Sequence, residues 1–243
     1  MTLISEQTPV VSWNEPDGIA ARGTLIVIPG RGERPELYER FGRRISADGY
    51  RVRVVADPVQ DEALTTSQVL AATDGPRPHV LVGSDTGALF ATGLITSGRV
   101  TEVDALVLAG LPSGDSTAPT SWEEELDART ACPTHRARLE GPALSRGALY
   151  KPVPEGWAER ADLASLRQPV LGIHGADDQV SPLADARARY AAAPRAELVS
   201  ITGGKHDALN DATHRTAAAT VVLFLERLRL GADLPPIAVS EQL

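Results

Sequence analysis

Residues 24–28, Thr-Leu-Ile-Val-Ile, form an unbroken apolar run rich in β-branched side chains. A strand with one wet face alternates apolar and polar residues, so a run without alternation predicts a strand covered on both sides. The run stops at Pro29-Gly30-Arg31-Gly32, after which Leu37, Phe41 and Ile45 recur at helical spacing and Gly49 supplies a stop. The same unit returns along the chain. Strands are expected at residues 9–13, 51–55, 79–83, 103–109, 169–174 and 197–201, and helices at 62–73, 87–96, 183–193 and 212–229. Strands alternating with helices build a mostly parallel sheet with helices on both faces. The fold class is therefore α/β.

The alternation is interrupted once. More than fifty residues separate the apolar runs ending near 110 and beginning near 167, where two to six residues make an ordinary connection. Residues 122–129 and 135–139 read as short helices, broken by Pro133, Gly141-Pro142 and the Pro152–Pro154 stretch. Residues 111–166 are accordingly expected to form a small helical cap on a core made of residues 1–110 and 167–243. The cap's first helix is acidic (Glu123, Glu124, Glu125, Asp127) and the following stretch is basic (Arg129, Arg136, Arg138, Arg146, Lys151). The two halves are expected to pair with each other, although a basic mouth attracting an anionic substrate is the functional alternative.

Composition narrows the function. Of 243 residues 42% are hydrophobic, enough to build a core, and no run approaches the roughly 20 apolar residues that cross a bilayer. With 24 basic against 32 acidic residues the net charge is −8, which argues against nucleic acid as a partner. The single cysteine, Cys132, excludes an internal disulfide and a multi-cysteine metal cluster. The first eleven residues lack a basic patch followed by an apolar stretch, so a cytoplasmic protein is expected. No His or acidic neighbours at ligand spacing suggest a metal or another cofactor. A small-molecule substrate is the expected partner, and a homodimer is left open.

The chemistry concentrates at Val80-Leu-Val-Gly-Ser-Asp-Thr-Gly-Ala88. Strand, tight turn and helix meet there, and Gly83 and Gly87 stand two before and two after Asp85. A nucleophile elbow needs this spacing, because small flanking residues let strand and helix approach. A register centred on Ser84 would put β-branched Val82 and Thr86 at the flanks, a poor fit to the turn. The bland alternative makes Asp85 an N-cap of the following helix.

With this elbow in place the chain resembles the α/β-hydrolase family over nearly its full length. Gly175-Ala-Asp-Asp178 is similar to the family's acid loop, with Asp177 as the neighbouring candidate, and Gly203-Gly-Lys-His206 to its histidine loop. Ile28-Pro-Gly-Arg-Gly32 occupies the place of the oxyanion loop, with Pro29 where members usually carry a histidine. The resemblance implies a triad of Asp85, Asp178 and His206, with the backbone N–H groups of Arg31 and Thr86 forming the oxyanion hole. Aspartate at the elbow is similar to epoxide hydrolases and dehalogenases. Thr86 replaces the halide-binding tryptophan of the latter, and the cap interval holds one tyrosine, Tyr150, where epoxide hydrolases use two. The Gly-Arg-Gly-Glu loop and short cap look like lysophospholipase-like and small esterase members.

The expected activity is hydrolysis of a small organic molecule, an epoxide, activated ester or lactone, through a covalent intermediate on Asp85. Ser84, Trp122, His135 and Tyr150 are the candidate substrate-binding residues. Two alternatives stay open: a serine-type esterase or thioesterase, with Asp85 as a variant or Ser84 as nucleophile, and a lyase, cyclase or binding protein on the same scaffold. His174 is expected beneath the site, and His79, His214 and Cys132 are expected to be structural or inert.

Overall fold

The computed structural model describes residues 8–113, 121–239 and 241. Residues 1–7 of the N-terminal segment and 114–120 of the expected cap lie outside them. Seven strands form one sheet in the order β1-β3-β2-β4-β5-β6-β7. They are β1 (Val11–Trp13), β2 (Thr24–Ile28), β3 (Arg51–Val54), β4 (His79–Ser84), β5 (Ala105–Ala109), β6 (Val170–Gly175) and β7 (Ala196–Ile201). Only β1 runs antiparallel, against β3 at one edge, and every other pairing is parallel. The α/β expectation thus holds, with element ends shifted by one or two residues, as fraying ends usually are.

Alternation along β2 divides the core. Leu25 and Val27 face one cluster, where Phe41 and Ile45 of α1 (Glu39–Ala47) and Val221 and Phe224 of α8 (His214–Leu230) meet them. Ile26 and Ile28 face the other, with Val69 of α2 (Glu62–Ala72), Leu89 and Leu94 of α3 (Thr86–Thr96) and Ala186 of α7 (Leu183–Ala191). All of these side chains are buried, which is why TLIVI could not alternate.

The interval after β5 contains α4 (Trp122–Arg129), α5 (Pro133–Leu139) and α6 (Trp157–Arg160). Pro133 begins α5 rather than breaking a helix, because the first helical turn needs no N–H from it. The cap helices share the main core. Leu126 and Leu139 join the α1/α8 cluster, while Trp157 joins the α3 cluster and packs on Phe90 with ring centroids 5.1 Å apart. Among the described residues no helix is long and apolar enough to cross a membrane.

Candidate functional site

The parallel strands bring their carboxyl ends to one edge of the sheet, and the loops after β2, β4, β6 and β7 meet there. Open α/β sheets bind ligands at this edge. Asp85 follows β4 with φ +48° and ψ −125°, a backbone conformation that a non-glycine residue adopts only under local compulsion. The compulsion is visible on both sides. A Cβ on Gly83 would lie 2.4 Å from the Ala88 Cα and the Gly87 carbonyl oxygen, and one on Gly87 2.3 Å from the Ile28 carbonyl oxygen. The Asp85 N–H extends the ladder to the Ala109 carbonyl at 3.0 Å. Asp85 stands at the N-cap position of α3, yet its carboxylate makes no capping bond. The carboxyl group is directed elsewhere.

It faces His206. The Nε2 atom of His206 lies 3.5 Å from Asp85 Oδ1, and Nδ1 lies 2.9 Å from Asp178 Oδ2. Asp178 is held by the turn after β6: its Oδ1 accepts the N–H groups of Val180 and Ser181, each at 2.9 Å. It therefore both fixes its loop and orients the imidazole. His174 sits fully buried beneath, 3.2 Å from Asp178 Oδ2, with Nε2 also 2.6 Å from the Ser181 carbonyl oxygen. Gly175 lets the acid and histidine loops touch, since a Cβ there would lie 2.3 Å from the Gly204 and Lys205 carbonyl oxygens.

Charge alternates through this row. Burial disfavours charge on every member, but partners outweigh it. The Arg31 guanidinium and His206 hold Asp85 well below the usual carboxylate range, and His206 and His174 hold Asp178 low. Against its own desolvation, Asp178 and then Asp85 push the His206 imidazole up to about 10. The free site is thus a carboxylate, an imidazolium and a second carboxylate at neutral pH.

Arg31 contributes more than the backbone N–H that sequence reasoning assigns to it. That N–H does point at Asp85 Oδ2, at 3.1 Å. The side chain then folds over the same carboxylate, with Nε 2.8 Å from Oδ2 and Nη2 2.7 Å from Oδ1, while Nη1 donates to the Lys151 carbonyl. This fork fits a carboxylate bidentately. The loop beneath is fixed from both sides, with Glu33 Oε2 accepting the Gly30 N–H at 3.0 Å and Asp57 Oδ2 accepting the Gly32 N–H at 2.7 Å. Thr86, the other oxyanion candidate, is fully buried and its hydroxyl finds no partner among the described residues.

A cavity of about 600 Å³ opens between this edge and the cap, lined by Arg31, Leu89, Tyr150, Lys151, Val180 and Arg189 among others. Of the candidate substrate-binding residues Tyr150 lines it, and Ser84, Trp122 and His135 do not. Ser84 is buried at the end of β4. Trp122 packs against the α1/α8 cluster, and its ring receives the Arg146 guanidinium 4.8 Å from its centroid. His135 is buried on α5 with Nε2 2.9 Å from Asp207 Oδ2. The aromatic side chains of the cap's first half serve packing, because its helices lie against the core rather than over the cavity. Asp85 and His206 are themselves almost fully buried, and the Arg31 side chain stands between Asp85 and the cavity.

Sequence reasoning also missed the support behind the histidine loop. The fully buried Arg129 ends α4 and reaches Glu125 at 3.2 Å, Glu33 at 2.9 Å and Asp207 at 3.4 Å. The i,i+4 spacing of Glu125 and Arg129 was a legible signal, whereas the partners from two distant loops were not. The cap's opposite charges do pair in part, through Arg136 with Glu123 and with Asp127. Among the described residues no three His, Cys, Asp or Glu side chains are placed to hold a metal ion.

Solved structures share this fold. A soluble variant of monoglyceride lipase from Saccharomyces cerevisiae, bound to a substrate analogue, superposes with a TM-score of 0.71 at 15% identity, over 89% of this chain and 90% of the lipase. An esterase from a Rhodococcus species gives 0.67 at 19% identity, over 90% of this chain and 99% of its own. A meta-cleavage product hydrolase from Pseudomonas fluorescens gives 0.67 at 19%, over 90% and 94%. The chain has the α/β-hydrolase fold. At such identities the likeness concerns the fold alone. No family model matches the chain, and no curated protein matches it. Asp85, Asp178 and His206 lie in the turns and loops that follow β4, β6 and β7.

Proposed function

We propose that the protein is a hydrolase of small organic molecules with Asp85 as nucleophile, His206 as acid and base, and Asp178 as the residue that orients His206. The observation behind the reading is the row Asp85–His206–Asp178, with separations of 3.5 and 2.9 Å, on a turn strained to φ +48°. The cognate fold neighbours named above include a lipase, an esterase and a hydrolase, which agrees with it.

The charges on the site give the steps their order. An Asp85 oxygen attacks an electrophilic carbon of an epoxide, ester or lactone, and the departing oxygen takes the proton of the His206 imidazolium. Forming the covalent intermediate, an ester from an epoxide or an anhydride from an ester or lactone, removes the negative charge on Asp85 that helped keep His206 protonated. The imidazole, now neutral, takes a proton from water, and the hydroxide adds to the Asp85 carbonyl carbon. The tetrahedral adduct then breaks its bond to the product oxygen, which leaves with the proton of the added hydroxyl, so that Asp85 is again a carboxylate and His206 an imidazolium. The backbone N–H of Arg31 lies where an oxyanion on Asp85 would form. Both oxygens of Asp85 accept from the Arg31 side chain at rest, so that side chain turns toward the cavity before attack.

Single turnover in ¹⁸O-labelled water, followed by mass spectrometry of the peptide containing Asp85, tests the scheme. Label is expected in that peptide, because water adds to the enzyme's own carbonyl carbon. Label found only in product rejects Asp85 as nucleophile.

A second reading draws on the Arg31 fork. A carboxylate whose two oxygens both receive a guanidinium is held as an ion-pair partner, with no oxygen free to attack carbon. Asp85 and His206 would then act as an acid–base pair without a covalent bond, as in a lyase or cyclase. The same isotope experiment separates the two.

A further inference from the structure

We propose that the cavity beside Asp85 takes an organic anion, a small carbon skeleton bearing a carboxylate, which is received by Arg189 and Lys151 and competes with Asp85 for Arg31. The inference rests on the hydrolase reading and adds a substrate class to it.

The protein as a whole carries a charge of −8. Yet the described residues that line the cavity include three cations, Arg31, Lys151 and Arg189, and no carboxylate. The arginines elsewhere on the molecule mostly have internal anions: Arg51 holds Glu15, Arg77 holds Glu102 and Asp104, and Arg227 holds Glu197. Arg189 differs. Its half-buried guanidinium donates only to carbonyl oxygens, of Pro112 at 2.5 Å and Ala161 at 3.3 Å, and among the described residues it forms no ion pair. Burial pulls its pKa below the ordinary value, the direction expected of a cation without an anion to offset desolvation. Lys151 is exposed at the cavity rim and forms no ion pair among the described residues either. Leu89, Val153 and Val180 supply apolar surface to the same lining. A free inorganic ion would leave that surface uncovered, whereas a carbon skeleton with a charged end satisfies both parts of the lining. The volume, about 600 Å³, lies in the range of small-molecule sites.

Arg31 links recognition to reaction. It touches the cavity and Asp85 at once, and its fork fits a substrate carboxylate as well as it fits Asp85. An anion in the cavity therefore draws Arg31 from the nucleophile it covers, while a neutral molecule offers no such exchange.

Calorimetric titration with phenylacetate and with its neutral analogue phenylacetamide tests the inference without turnover. The acid is expected to bind at least about tenfold more tightly than the amide, the scale of one charge-assisted hydrogen bond. Arg189→Met is expected to lose about tenfold for the acid and nothing for the amide. Lys151→Gln, at an exposed position with no buried bond to lose, is expected to weaken the acid severalfold. Asp85→Asn removes the internal competitor for Arg31, and acid affinity is expected to rise severalfold. An amide that binds as well as the acid, or undiminished acid binding in both Arg189→Met and Lys151→Gln, overturns the proposal. Unchanged acid affinity in Asp85→Asn overturns the competition for Arg31. Selective acid binding with no isotope label on Asp85 would defeat the nucleophile and leave the anion site standing. Label on Asp85 from neutral esters, without acid preference, would do the reverse.

Discussion

In the proposed scheme the charge state of His206 bears on both chemistry and stability. Its imidazole is buried between two carboxylates, and its folded pKa of about 10 lies above the ordinary value of 6.5. A group whose folded pKa is raised binds its proton more tightly in the native state than in the unfolded one. Its contribution to stability is therefore complete below pH 6.5 and is lost as pH rises through about 10. Urea unfolding midpoints measured from pH 6 to 10 are expected to fall with rising pH. In His206→Gln the fall is expected to be much shallower, because the other groups that titrate in this window are common to both proteins. Equal slopes would show that the imidazole titrates near its ordinary value in the folded protein. The depressed pKa values of Asp85 and Asp178 act in the opposite direction and in the acid range, so they do not enter this window. The sequence showed which residue types would meet here. It did not show that Arg31 would cover Asp85, because an arginine one residue beyond a glycine has a side chain whose direction depends on a cap that folds later in the chain.

At the scale of elements, β4 and α3 form the part of the site most legible in the sequence. Gly83 and Gly87 announce a close crossing because only glycine leaves room for it, and the structure shows what fills the room. The acid and histidine loops were read instead from their resemblance to the family's loops; of their glycines, Gly175 does sit at a close approach, whereas Gly203 has open space around it and φ +68°. The cap was not legible in either way. Its helices pack through single leucines and two tryptophans, a pattern that does not distinguish a side chain lining a cavity from one filling a core. Trp122 and His135 were assigned to the substrate on that ambiguity, and both belong to the packing. The elbow gives the sharper test. Gly83→Ala places a methyl group 2.4 Å from two backbone atoms of α3, and no side-chain rotation relieves a backbone clash. Strand and helix must separate, at a cost of about 3 kcal/mol or more. Chemical denaturation is expected to show that loss, and the surviving folded fraction is expected to have lost most of its activity, because Asp85 moves with α3. A variant as stable and active as the parent would show that the crossing is looser than its geometry.

Across the molecule, the cap and core are joined behind the site by charges rather than by an apolar seam alone. Arg129 at the end of α4 is fully buried among Glu125 of its own helix, Glu33 of the loop after β2 and Asp207 beside His206. Backbone bonds reinforce the junction, since the N–H groups of His206 and Asp207 donate to the carbonyl oxygens of Ala128 and Arg129 at 3.3 and 2.9 Å. A buried ion network of this kind contributes little net stability when complete, but losing one member leaves charge stranded away from water. Burial and the nearby Asp207 already push the Glu33 carboxyl up, despite the attraction of Arg129. Arg129→Met keeps much of the side-chain volume and removes the only guanidinium these carboxylates share among the described residues. It is expected to destabilise the fold by about 3–5 kcal/mol near neutral pH. The sign of the pH dependence then follows from the acids left behind. Without Arg129 the folded pKa values of Glu33 and Asp207 rise, so these two gain protons at a higher pH in the folded variant than in the folded parent. The deficit relative to the parent should therefore shrink as pH falls from 8 to 5, and urea midpoints of the two proteins should converge. Because the histidine loop hangs from the same junction, kcat should fall with stability while the part of ligand affinity that comes from Arg189 of α7 and Lys151 of the segment after α5 stays within a few-fold of the parent. A deficit that is constant with pH would mean that Arg129 acts through packing and that the three carboxylates find other partners.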